Sequence, residues 1–150
     1  MLRARIVFAA FVASLLAACF TPLTQEDVDQ YGTRSYPHAS KSQAFHASLT
    51  ALKSLGYETA VSESGAGRIK TAPKILVVHA TGSSTVATAT ESSLAWDLDV
   101  VPGPHGAIVR ARPRGYEGGQ AIPLSKMNAD YIKRTYDTLF AEIESNLPHH

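Results

Sequence analysis

Cysteine is nearly absent from this 150-residue chain, where Cys19 stands alone. A lone thiol excludes an intrachain disulfide framework and a thiolate metal cage, so any folded part must stand on its core. Charge of one sign is lacking too. Lys and Arg number 14 against 13 Asp and Glu, which gives neither the basic footprint of a nucleic-acid binder nor a polybasic membrane patch. Catalytic and metal motifs are missing as well. None of His38, His46, His79, His105, His149 and His150 falls in a His-Glu-x-x-His spacing. The serines of "TGSSTV", Ser83 and Ser84, lack a Gly-x-Ser-x-Gly elbow and have only His79 or His105 as distant candidate bases. Gly65 and Gly67 lie in a strand-turn-strand context, whereas a phosphate cradle needs a following helix. No cofactor, no metal and no enzymatic activity are expected.

What is present begins at the N-terminus. Arg3 and Arg5 precede an apolar run from Ile6 to Leu16, the length of a signal-peptide core and well short of the roughly twenty residues that span a membrane. Leu16-Ala17-Ala18-Cys19 follows: a branched apolar residue, two small ones, then the thiol. This resembles the lipobox of bacterial lipoproteins. The resemblance implies that Cys19 Sγ takes a diacylglycerol, that the peptide is cut before Cys19, and that the new amine is acylated, typically with palmitate. At about 0.8 kcal/mol per buried methylene, two or three such chains anchor durably where one does not. Phe20 stands where that family's inner-membrane proteins carry aspartate, so the implied location is the cell outer membrane, facing the periplasm, rather than the inner membrane.

Loss of residues 1–18 removes Arg3 and Arg5 and leaves 132 residues, with 12 basic side chains against 13 acidic. That is one domain's worth of chain. Residues 19–39 have proline, glycine and acidic residues without a sustained period, which predicts an acylated cysteine followed by a flexible tether. Residues 40–150 are expected to form a single domain.

Within that domain a helix is predicted over 41–55. Ser40 stands three residues before Gln43 as a capping box, Phe45, Leu49, Leu52 and Leu55 share a face, and Gly56 stops the helix. "YETAVSE" and "RIKTA" flank a Ser64–Gly67 turn as a hairpin. "KILVVHAT" reads as a short strand. "STVATATESSLAWDLDVV" carries the strongest β signal, with Leu94, Trp96, Leu98 and Val100 on one face and Asp97 and Asp99 on the other. "PGPHG" turns the chain into "AIVRARPRG". A four-residue turn would set Val100 opposite Ala107, Leu98 opposite Val109 and Asp97 opposite Arg110. "RPRGYEGGQAIP" reads as a loop. A final helix capped by Ser125 and stopped by Pro148 carries Tyr131, Ile132, Tyr136, Leu139, Ile143 and Leu147 along one stripe. The expected fold is α+β: a two-layer sandwich in which an antiparallel sheet of three to five strands carries the N-terminal and C-terminal helices on one face.

The order of these pieces resembles small outer-membrane lipoproteins of BamC-like helix-grip architecture, accessories of outer-membrane protein assembly. That likeness rests on fold-shaping residues such as Leu55, Gly56, Tyr57 and Ile69, so no functional residue carries over. Two features invite a role. Arg110, Arg112 and Arg114 alternate on one strand, as an anion or partner patch or as a solvated face balanced by Asp97 and Asp99. Trp96 could stack on a ligand or fill the core. The expected function is that of a lipid-anchored, non-catalytic interaction or scaffolding module with an envelope protein partner, in outer-membrane biogenesis or maintenance. The alternative is a carrier or sensor of a small amphiphile, held in a cavity lined by Phe45, Trp96 and Leu139. A hydrolase comes third.

Overall fold

Alternation decides the centre of the molecule. In "LAWDLDV" every second side chain is apolar, and these bury completely: Leu94, Trp96, Leu98 and Val100 are each at most 1% exposed. The computed structural model describes residues 20–83 and 86–148, so Cys19 and the signal-like segment before it lie outside the described residues. In chain order the elements are α1 (Gln25–Tyr31), β1 (Thr33–Tyr36), α2 (Lys41–Ser54), β2 (Thr59–Glu63), β3 (Arg68–Thr71), β4 (Lys74–Ser83), β5 (Val86–Gly103), β6 (Gly106–Glu117), β7 (Gln120–Ile122), a 3-10 turn (Leu124–Lys126) and α3 (Ala129–Ser145).

The seven strands form one antiparallel sheet in the order β1-β6-β5-β3-β2. β4 continues past β3 along the same edge of β5, and β7 pairs with the far half of β6. The fold is therefore mixed α+β with more strands than the three to five expected. Two of the extra strands come from segments read as tether and loop.

The tether reading is corrected at 22–39. Thr24 and Asp27 close a capping box at the start of α1, and β1 pairs with β6 from Thr33↔Arg110 to Tyr36↔Ala107. Leu23, Val28, Tyr36 and Ala39 are buried, which explains why the segment does not float. Gly32 makes the junction possible. A Cβ there would stand 2.3 Å from the Val28 carbonyl oxygen and 2.5 Å from that of Ala111, while the Ala111 N–H donates to Gly32 O at 2.7 Å.

The loop reading at 112–123 is corrected too. Gly118 and Gly119 both take positive φ, which turns β6 directly into β7. The β5–β6 hairpin has the expected faces but a different register. Its turn is only Pro104-His105, so Val100 faces Val109, Leu98 faces Ala111 and Trp96 faces Pro113. A shift of two residues keeps each side chain on its face. It also sets Asp97 against Arg112 and Asp99 against Arg110, where the four-residue turn would have left Asp99 facing Ile108.

Both longer helices start as their caps dictate. Ser40 and Gln43 close the capping box of α2 as expected. Asn128, not Ser125, caps α3 by accepting the Tyr131 N–H at 2.8 Å. Phe45 and Leu52 from α2, and Ile132, Tyr136, Leu139, Phe140 and Ile143 from α3, share one buried cluster with the apolar residues of the central strands. The Tyr136 hydroxyl donates to Ala111 O at 3.0 Å, and its ring meets Trp96 at 5.1 Å between centroids. Among the described residues no helix is long and apolar enough to cross a membrane.

Candidate functional site

The residues left over by the core make the most distinctive surface. In "RIKT" the buried Ile69 separates Arg68 from Lys70, and in β6 the buried Val109, Ala111 and Pro113 separate Arg110, Arg112 and Arg114. Strand register then builds two rows. One runs Glu63, Arg68, Asp99, Arg110 and the other Lys70, Asp97, Arg112, with signs alternating from strand to strand. Opposite charges at facing positions contribute roughly 0.2–1 kcal/mol each, and exposed ion pairs add little more. Arg68 meets Glu63 at 2.8 Å and Lys70 meets Asp97 at 4.0 Å.

The three arginines singled out from the sequence do share a face, yet they are not equivalent. Arg114 is tied down. Its Nε lies 2.9 Å from Asp97 Oδ1 without hydrogen-bond alignment, so the contact is chiefly coulombic. Its other nitrogens donate to Thr71 O at 3.0 Å and to the Tyr116 hydroxyl at 2.6 Å. That is a brace between β3, β5 and β6. Arg110 and Arg112 are exposed, and among the described residues neither forms an ion pair or a side-chain hydrogen bond. Beside them a cleft of about 270 Å³ is walled by Arg68, Lys70, Asp97, Asp99 and Arg112. Carboxylates interleaved with cations suit a surface of matching alternate charges better than a lone phosphate. Arg68 and Lys70 escaped the sequence reading, although their spacing around Ile69 carries the same period-two signal.

Trp96 belongs to the core. It is 0% exposed, its N–H of the backbone is accepted by Thr71 Oγ1 at 2.9 Å, and its ring is covered by Tyr136. A stacking role for a bound ligand does not fit that burial. Phe45 and Leu139 are buried as well, and Trp96 and Leu139 border one cleft of about 300 Å³ from which Phe45 is missing. Two adjoining clefts do open near α3. One of about 350 Å³ is lined by apolar residues including Phe20, Leu76, Val77, Met127 and Tyr131. The other, of about 300 Å³, shares Leu76 and Tyr131 and reaches Lys74 and Arg134.

Burial pushes the Tyr36 and Tyr136 hydroxyls well above the usual tyrosine range and raises that of Tyr57, because a phenolate would lose its hydration there. Each is a structural group. His38, His46, His79 and His105 are exposed and scattered, and His46 Nδ1 faces its own helix at Ser42 O, 2.8 Å away. Among the described residues no group of three or more His, Cys, Asp or Glu is placed to hold a metal ion. Ser83, Ser84, His149 and His150 lie outside the described side chains.

No family model matches this chain, and no curated protein is significantly similar to it. Function therefore has to be inferred from the geometry of the residues themselves.

Proposed function

We propose that this chain is a lipid-anchored cell-envelope protein, held at the outer membrane through Cys19 and facing the periplasm, that works as a non-catalytic interaction or scaffolding module in outer-membrane biogenesis or maintenance. In this reading the domain is a two-layer sandwich whose helices cover the face carrying Trp96 and leave the charged face open. The observation that carries it is that open face: Arg110 and Arg112 are exposed on the two central rows and, among the described residues, form no ion pair. Exposed cations held in register by a rigid sheet are what a complementary protein surface can recognise, giving specificity and association rate more than raw affinity.

The test is site-specific crosslinking in the native envelope. A photoreactive residue in place of Arg112 should give one discrete protein adduct, lost when Arg110→Glu is added and lost with Cys19→Ser. A smear of weak adducts, together with an amphiphile co-purifying in the clefts beside α3, would move the conclusion to the carrier or sensor.

A further inference from the structure

The stretch Ile75–Thr90 has no Asp, Glu, Lys or Arg. It forms most of the β4–β5 hairpin, and among the described residues β4 pairs with β5 alone, so its outer edge is open. Edge strands are ordinarily blunted by charge. This one instead leaves Ile75, Val77 and Val78 exposed at 54%, 48% and 54%. By strand alternation with a bulge after Ile75, the apolar side chains appear on both faces of the ribbon. Phe20, 57% exposed, stands in the same cleft wall as Val77 and Tyr131.

The second observation is where the chain enters. The Leu23 N–H donates to Met127 O at 2.9 Å, the Ala129 N–H donates to Thr21 O at 2.8 Å, and Pro22 bridges Asn128. The domain thus grips its N-terminus from Thr21 onward. Two residues span at most about 7 Å, so an acyl anchor on Cys19 leaves no slack between bilayer and domain. Phe20, the first described residue, and the exposed Val77 and Tyr131 border one cleft, so the chain enters the domain on the side of the apolar patch.

We infer that this side is a membrane-apposed surface: the β4–β5 ribbon, Phe20 and Tyr131 rest in the headgroup and upper acyl region of the leaflet that holds the anchor. The inference rests on acylation of Cys19. Charge agrees with it, since Lys74, Lys126 and Arg134 line the two clefts against a single carboxylate, Glu117. Depth is limited by the open edge of β4, because unpaired backbone groups are costly in hydrocarbon. Interfacial burial of roughly 5–10 Å keeps that edge among headgroups and water.

The experiment uses the full chain, purified from membranes in lipidated form and reconstituted into phosphatidylethanolamine–phosphatidylglycerol vesicles. Lipidation consumes the native thiol, so Val77→Cys or Val78→Cys supplies the only site for an environment-sensitive nitrobenzoxadiazole label, with Val61→Cys on β2 as control. The expected result is blue-shifted emission at 77 and 78, lost to lipid-borne nitroxide quenchers, and water-like emission at 61. Vesicle-bound protein with water-like emission at all three positions overturns the apposed surface while leaving the anchor intact. A blue shift that lipid quenchers do not touch assigns the ribbon to a protein strand and overturns it as well. If Cys19 itself takes the label, the anchor falls and the inference falls with it.

Discussion

Arg114 and Arg112 sit two positions apart on one face, and their surroundings set opposite consequences. Arg114→Ala removes the contact with Asp97 and the donations to Thr71 and Tyr116, and should cost about 1 kcal/mol after allowance for its partial exposure. Arg112→Ala should stay within about 0.5 kcal/mol of the parent, as surface changes do. Urea melts followed through Trp96, the only tryptophan and fully buried, separate the two cleanly. The buried tyrosines give a second residue-scale prediction. Their folded pKa values are raised, so the stability they contribute is complete below about pH 10 and is lost as pH rises beyond it, by up to about 1.4 kcal/mol per pH unit for each. Melting temperature should be flat to about pH 9 and then fall. Tyr136→Phe, which loses only the bond to Ala111 O, should be about 1 kcal/mol weaker at neutral pH yet fall less steeply above pH 10. An equal alkaline slope in that variant would contradict the assignment.

Among the elements, α1 and β1 carry the sharpest expectation. Gly32→Ala places a methyl against two backbone oxygens that cannot swing away, and should destabilise by about 1–3 kcal/mol. Deleting residues 20–36 removes Leu23, Val28 and Tyr36 from the core at about 1.5–3 kcal/mol apiece. Against a total of about 5–15 kcal/mol for a domain, that loss should abolish the cooperative transition. A deleted form that still melts sharply would restore the tether. The elements legible in the sequence were those whose pattern is local: α2 with its capping box, the β2–β3 hairpin, and the alternating half of β5. Those that escaped have meaning only across distance. The apolar residues of 23–36 are too few for a period, and they bury because β6 offers an edge. The β5–β6 register follows from a turn of only Pro104-His105. A shift of two residues keeps every side chain on its face, so a face-by-face reading could not distinguish the two. The Gly118-Gly119 turn was a local signal that a proline-rich, glycine-rich neighbourhood masked. In the candidate site, the shared face of the arginines followed from alternation, whereas the brace on Arg114 required knowing that Thr71 lies across two strands.

On the scale of the whole molecule, the sheet is stitched by pairs far apart in the chain: β1 reaches β6, and the N-terminal bridge reaches the start of α3. Such non-local pairing makes closure slow, on the order of milliseconds to seconds, and stopped-flow refolding followed by Trp96 should show it. A sub-millisecond phase carrying the full amplitude would mean that the central hairpin folds without its edges. The same stitching imposes an order of events. Thr21 and Leu23 are made long before the backbone groups of Met127 and Ala129 that grip them. Until then Thr21 and Leu23 hang on unfolded chain; afterwards they are held at the start of α3. If Cys19 is acylated as proposed, that modification competes in time with closure of this grip, which must wait for residue 127.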